Sequence, residues 1–249
     1  MLEWLYVSLP ATTARKAVLW CKTHWFLTSI IVVILFVGTE VLTLPFEAVS
    51  VLARKNPNRT AFMEEQAELA RREKRKFDIL QEWVPLKDIP TDVIHAVIVA
   101  EDGTFWSNNG FDWYELKESV GRDFQEGRAV RGASTITQQL VKNLFLSPSK
   151  NPLRKMREWV LTWWMNRKLS KSRILELYLN VIEWGKGVYG IEAASWYYFG
   201  KPAAMLSRVE AARLAAIIPD PRNHMANSDS DYVIRRSNLV LERMEARGY

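Results

Sequence analysis

Glu101 closes a run carrying Ile94, Val97 and Ile98, in the stretch Ala100-Glu101-Asp102-Gly103-Thr104-Phe105. A carboxylate at the C-terminal end of a helix and against apolar surface is disfavoured as an anion by burial and by the helix dipole, so its pKa should rise. Such a group can act as a general base near neutral pH. An exposed glutamate at a helix end is the commoner fate of this pattern, and Asp102 is as well suited to capping the next turn as to meeting a substrate.

A second set lies in Gly132-Ala-Ser134-Thr135-Ile136-Thr-Gln138-Gln139-Leu140-Val-Lys142-Asn143-Leu144-Phe145-Leu146. Thr135 and Gln138 have capping-box spacing, so a helix should start here and offer its free N–H groups as an anion cradle. Ile136, Leu140 and Leu144 would face a core, with Gln138, Gln139, Lys142 and Asn143 as a polar stripe beside them. An ordinary amphipathic helix has the same pattern. In a third set, Leu153-Arg154-Lys155-Met156-Arg157-Glu158, Glu158 is expected on the first turn of a helix starting after Pro152, with three cations where the dipole prefers acids. Binding an anion is the natural use, and an i,i+4 pair of Arg154 with Glu158 is the alternative.

These residues need helices to position them. A charged helix is expected over about 61–80, with Glu68 and Arg72 paired at i,i+4, and others over about 93–101, 113–126, 135–146, 153–169, 172–183, 189–199, 207–217 and 229–247. Ser207 with Glu210 marks another capping box, Gly200 a C-cap, and Pro219 and Pro221 a stop. Glu176 and Asn180, polar groups on an apolar helix, should anchor neighbouring loops. No run alternates convincingly, so the class is mainly α with at most a small sheet.

The uncharged stretch Trp25–Thr39, continued to Phe46, is long enough to span a bilayer. Arg15, Lys16 and Lys22 precede it, which places residues 1–24 in the cytoplasm and the rest outside. A cleaved signal peptide is the alternative, but no small-residue cleavage pattern follows. Beyond Phe46 there remain 31 basic and 26 acidic residues. On a membrane-anchored outer domain, that surplus suits lipid head groups and lipid-linked phosphates rather than nucleic acid. The single cysteine, Cys21, precedes the anchor, and His24, His95 and His224 are scattered, so neither a disulfide nor a Cys/His metal site is expected outside.

Taken in order, Glu101-Asp102-x-x-Phe105, Gly132-x-Ser134-Thr-Ile-Thr-Gln-Gln-Leu-x-Lys142-Asn143, Arg154-Lys155-x-x-Glu158 and Ile174-Leu-Glu-Leu-Tyr-Leu-Asn180 resemble the peptidoglycan glycosyltransferases. With the single anchor, the chain is similar to the monofunctional biosynthetic transglycosylases of the bacterial cell envelope. The resemblance implies a lysozyme-like glycosyltransferase domain over 91–249, after an anchor at 25–46 and a linker with a charged helix at 47–90. It implies polymerisation of lipid II at the inner membrane, with β-1,4 bonds formed between MurNAc and GlcNAc and undecaprenyl pyrophosphate released. Glu101 would be the base and Glu158 would assist departure of the pyrophosphate. Asp102, Phe105, Ser134, Thr135, Gln138, Gln139, Lys142, Asn143, Lys150, Arg154 and Lys155 would bind substrate. The phosphoglycolipid moenomycin would occupy the donor site. The resemblance leaves room for a divalent cation, Mg2+ or Mn2+, at Glu158, and for no organic cofactor. Implied partners are lipid II, the growing glycan strand, membrane lipids and other cell wall synthesis and division proteins.

The chain departs from the family pattern at Thr104, where a basic residue is usual, at Asn108 (His), at Ala133 (Gly) and at Asn166 (Glu). A lytic enzyme is the nearest rival reading, but glycan cleavage has no pyrophosphate for the cations near Glu158 to neutralise. A non-catalytic scaffold is the other, and retention of both glutamates disfavours it. Since lipid II presents its pyrophosphate at the bilayer surface, residues between Phe111 and Leu153 are expected to face lipid, with Phe124, Leu144, Phe145 and Leu146 as candidates for insertion.

Overall fold

A computed structural model describes Trp20 and residues 22–118, 134–146 and 151–249. The chain divides into one unit ending at Leu44 and a second, Pro45–Tyr249. The first holds α1, Trp25–Leu42, an apolar helix with no buried residue. With its continuation to Val51 it is the one stretch among the described residues long and apolar enough to cross a membrane.

The second unit is helical, and it begins well before residue 91. Helix α2, Phe46–Val51, packs on α6, Pro152–Lys168, where the Trp164 indole donates to the Phe46 carbonyl at 3.1 Å. Helix α3, Ala61–Arg72, is capped by the Thr60 hydroxyl and packs on α5, Ile136–Phe145. Residues 47–90, expected as a linker with a charged helix, are thus part of the same compact unit as the rest.

Helix α3 ends eight residues before the expected limit. Lys74 takes a left-handed φ of 52°, its N–H bonds to the Arg71 carbonyl, and the Arg75 N–H reaches back to Ala70. That is the geometry of a Schellman cap, here without glycine. The freed chain then forms β1, Leu80–Gln81, which pairs in parallel with β3, Val188–Tyr189; β2, Glu183–Gly185, pairs antiparallel on the other side of β3. This short three-stranded sheet is as small as the weak alternation allowed.

Helix α4, Thr91–Glu101, buries Val93, Ala96, Val97, Ile98 and Val99 against α9, Arg208–Ile217, and α10, Asp231–Ala246. Helix α5 lies between α3, α6 and α7, Lys171–Val181, burying Ile136, Leu140 and Leu144 as their period of four predicts. On α7, Asn180 donates to and accepts from the backbone of Val84, and Glu176 accepts from the Leu86 N–H, so both anchor the preceding loop. Helix α8, Ile191–Phe199, starts at Gly190, where φ is 82° and a Cβ would stand 2.8 Å from the Asn180 carbonyl oxygen. Gly200 closes it in the left-handed conformation, as expected. Residues 113–118 are helical, and the rest of the expected helix to 126 lies outside the described residues.

Candidate active site

Glu101 is the last residue of α4, and its side chain is only 10% exposed. Its Oε2 accepts from Gln139 Nε2 at 2.8 Å, and the Tyr178 hydroxyl donates to Gln139 Oε1 at 2.9 Å. The Gln139 amide is thereby held with its NH2 toward the carboxylate. Burial raises the Glu101 pKa, opposed by Gln139 and by the cations Arg236 and Lys142, with Asp102 adding to the rise. The expected cause, burial against an apolar helix face, is the dominant one. Tyr178 is buried, which pushes its phenol well above the ordinary range and keeps it a donor.

The turn after Glu101 works inward. Asp102, 6% exposed, accepts from the Ile136 N–H at 3.0 Å and from Asn108 Nδ2 at 2.8 Å. It caps α5 from outside its own segment, and burial raises its pKa against those two bonds. Thr135 and Gln138 form the expected capping box, and the Thr135 hydroxyl also donates to the Gly110 carbonyl at 2.7 Å. The N-terminus of α5 is therefore not an open cradle for a ligand's phosphate. The Ile136 N–H is already taken by a protein carboxylate and the Gln138 N–H by the helix's own cap. Phe105 is fully buried, with the Lys171 ammonium 4.6 Å over its ring. Asp102, Phe105, Thr135 and Gln138, expected to touch substrate, instead build the wall behind the site, because each is enclosed by the packing of the 102–110 turn on α5.

Two of the positions that depart from the family pattern, Thr104 and Asn108, serve the same wall. Thr104 donates to Asp112 Oδ2 at 2.5 Å, while Asn108 Oδ1 accepts from Lys171 Nζ at 3.0 Å and from the Gly110 N–H at 2.9 Å. Burial pushes Lys171 down to about 8, with Asp102 opposing. Asn166 donates to the Thr162 carbonyl at 3.1 Å. Ala133 lies outside the described residues.

In front of the wall lies a cleft of about 330 Å³, whose polar lining includes Gln139, Lys142, Asn143, Arg154, Tyr178 and Glu183. Lys142 keeps an exposed surface in the open cleft; partial desolvation there, with Arg154 and Lys155 adding, lowers its pKa against the pull of Glu158 and Glu101. Glu158 is 3% exposed and lies on the second turn of α6, not the first. Arg154 Nη1 reaches its Oε2 at 2.7 Å and Lys155 Nζ bonds its Oε1. The i,i+4 pair and the anion-binding reading are thus compatible, since one buried carboxylate holds two cations at the cleft. Both Glu158 oxygens pair with a side-chain cation, and no group of three Asp, Glu, His or Cys residues with metal-binding geometry occurs among the described residues. Ser134 is half-buried, its carbonyl 3.4 Å from Gln139 Nε2. Lys150 lies outside the described residues.

Of the expected lipid-facing residues, Leu144 and Leu146 are buried at 7% each, Phe145 is half-buried, and Phe124 lies outside the described residues. Among the described residues in that part of the chain, the large exposed apolar groups are Trp113 and Tyr114, with Trp113 stacked on Phe111 and meeting Trp159 edge-on.

Three features escape a reading of the sequence. Arg236, on α10, stands 3.9 Å from Glu101 Oε1. Tyr178 orients Gln139 from α7. Glu183, expected to end a helix, sits in β2 and is gripped by Arg222 at 2.7 and 2.9 Å. Their spacing carries no local signal, since each acts on a partner from a distant segment.

A family model described as Transglycosylase matches residues 67–245. Among curated relatives, the biosynthetic peptidoglycan transglycosylase of Herminiimonas arsenicoxydans is 42% identical over 189 residues, 76% of this chain and 82% of the relative. The protein of the same name from Burkholderia lata is 44% identical over 191 residues, 77% and 78% of the two chains. That from Nitrosospira multiformis is 41% identical over 189 residues, 76% and 82%.

Proposed function

The chain belongs to the transglycosylase family, and we propose that it polymerises lipid II, joining MurNAc to GlcNAc through β-1,4 bonds in bacterial cell wall synthesis. A buried carboxylate, Glu101, held by Gln139 beside a cleft lined by Lys142 and Arg154, is the observation that carries this reading.

Glu101 takes the proton from the 4-hydroxyl of the acceptor GlcNAc. The freed oxygen attacks C1 of the donor MurNAc as the bond to undecaprenyl pyrophosphate breaks, and the anomeric centre inverts. Burial raises the basicity of Glu101, while Gln139 and the nearby cations favour its ionised form. Charge develops on the leaving pyrophosphate, where preorganised cations are most effective. Lys142, Arg154 and Lys155 are suited to this, and Glu158 holds the last two in place. A lytic reaction would leave these cations without a task.

The single apolar helix fits an anchor in the inner membrane, with the basic residues before it in the cytoplasm and the catalytic unit in the periplasm. Incubating the purified full chain with labelled lipid II should yield polymer that lysozyme digests. Glu101→Gln should lower the rate by about 10²–10⁴, the usual range for a lost general base, while leaving the melting temperature unchanged. Substantial polymer from that variant would remove the assignment.

A further inference from the structure

Among the described residues, Glu101 has a hydrogen bond on one oxygen and none on the other. Oε2 carries the Gln139 hydrogen bond, which leaves Oε1 to receive the proton. Arg236 Nη2 faces that free oxygen at 3.9 Å, from a helix 135 residues along the chain, and α10 packs directly on α4. Arg236 Nε is buried with no hydrogen-bond partner among the described residues, so the guanidinium retains an unspent donor there. Among the described residues, the charged and titratable groups facing Glu101 are Asp102 from its own turn, Lys142 from α5, Tyr178 from α7 and Arg236 from α10.

Of the two cations, Lys142 lines the cleft with Arg154 and would be engaged by the pyrophosphate when the donor is bound. Its charge is then shared with an anion and counts for less at Glu101. Arg236, like Glu101, stands behind the lining of that cleft and faces the carboxylate rather than the pyrophosphate cations.

We propose that Arg236 is a positioning residue for glycosyl transfer, holding Glu101 ionised and its free oxygen turned toward the acceptor while Lys142 is engaged by the leaving group. The inference rests on Glu101 being the base.

The test is kcat/KM for lipid II against pH, using the full chain in detergent, for the wild type, Arg236→Gln and Arg236→Lys. Removing the positive charge favours protonated Glu101, so the loss in Arg236→Gln should be about tenfold greater at pH 5.5 than at pH 8.5, equivalent to roughly one pH unit on the acidic limb. Arg236→Lys keeps the charge and should follow the wild-type profile. An equal loss at every pH in Arg236→Gln, or an Arg236→Lys profile displaced to alkaline pH, overturns the proposal. If Arg236→Gln does not fold, the Arg236→Lys profile decides alone by the same criterion. Polymer made by Glu101→Gln would instead remove the base assignment, whereas an inactive Glu101→Gln with a pH-independent Arg236→Gln loss removes only the role of Arg236.

Discussion

Asp102→Asn separates a structural carboxylate from a substrate ligand. The wild-type side chain accepts two hydrogen bonds, from the Ile136 N–H at 3.0 Å and from Asn108 Nδ2 at 2.8 Å, in a site 6% exposed. An asparagine oxygen can satisfy one of these donors, but its NH2 must then face the other. One unpaired buried donor costs about 1–3 kcal/mol. Loss of the negative charge at the start of α5 adds about 0.3–1 kcal/mol. Relief from burying a charge returns part of this, since burial is the largest influence on the Asp102 pKa. A net loss of about 2 kcal/mol lowers the melting temperature of a unit this size by roughly 4–8 °C. Thermal unfolding of the full chain in detergent, followed by circular dichroism, measures it. Polymerisation should fall as well, because Gln139 is on the first turn of α5 and holds Glu101. An unchanged melting temperature with a raised KM for lipid II would refute this reasoning and make Asp102 a substrate contact.

Three further outcomes are expected. Lys142→Ala removes a charge-assisted contact worth about 1.5–3 kcal/mol, so affinity for the lipid pyrophosphate and for moenomycin should fall roughly 10- to 100-fold; wild-type affinity for moenomycin would exclude this helix as the phosphate site. Lys171, lowered to about 8, lies below the unfolded lysine value of about 10.4, so the unfolded chain binds more protons between those values and stability should rise with pH from about 8 to about 10.5. Urea midpoints at pH 8 and pH 10 should show less of that rise in Lys171→Met than in the wild type, and identical slopes would count against it. A chain starting at Pro45 should bind anionic vesicles, more weakly as salt is added, and replacing exposed Trp113 and Tyr114 by serine should reduce the salt-resistant part; no binding at low salt would leave the anchor as the only membrane contact.

Both capping boxes, the apolar period of α5, the caps at Gly200 and Ser207, and the anchor helix were legible in the sequence, because each depends on residues three or four apart or on one unbroken apolar run. Glu101 and Glu158 were visible for a related reason: a lone acid ending an apolar helix and an acid among three cations are both local anomalies.

Tertiary structure decided which polar groups meet. The carboxylate at the N-terminus of α5 proved to be Asp102, 34 residues earlier in the chain, and the amide on Glu101 proved to be Gln139, 38 residues later. Tyr178 and Arg236 arrive on two further helices, whose register is set by the burial of their own apolar faces. Phe105 looks in sequence like a loop aromatic free to meet a sugar, yet it is enclosed beneath Lys171. Local hydrogen bonds and periodicity depend on neighbouring residues and can be read from one segment. Long-range pairing follows from how whole helices pack, a property that no single segment carries.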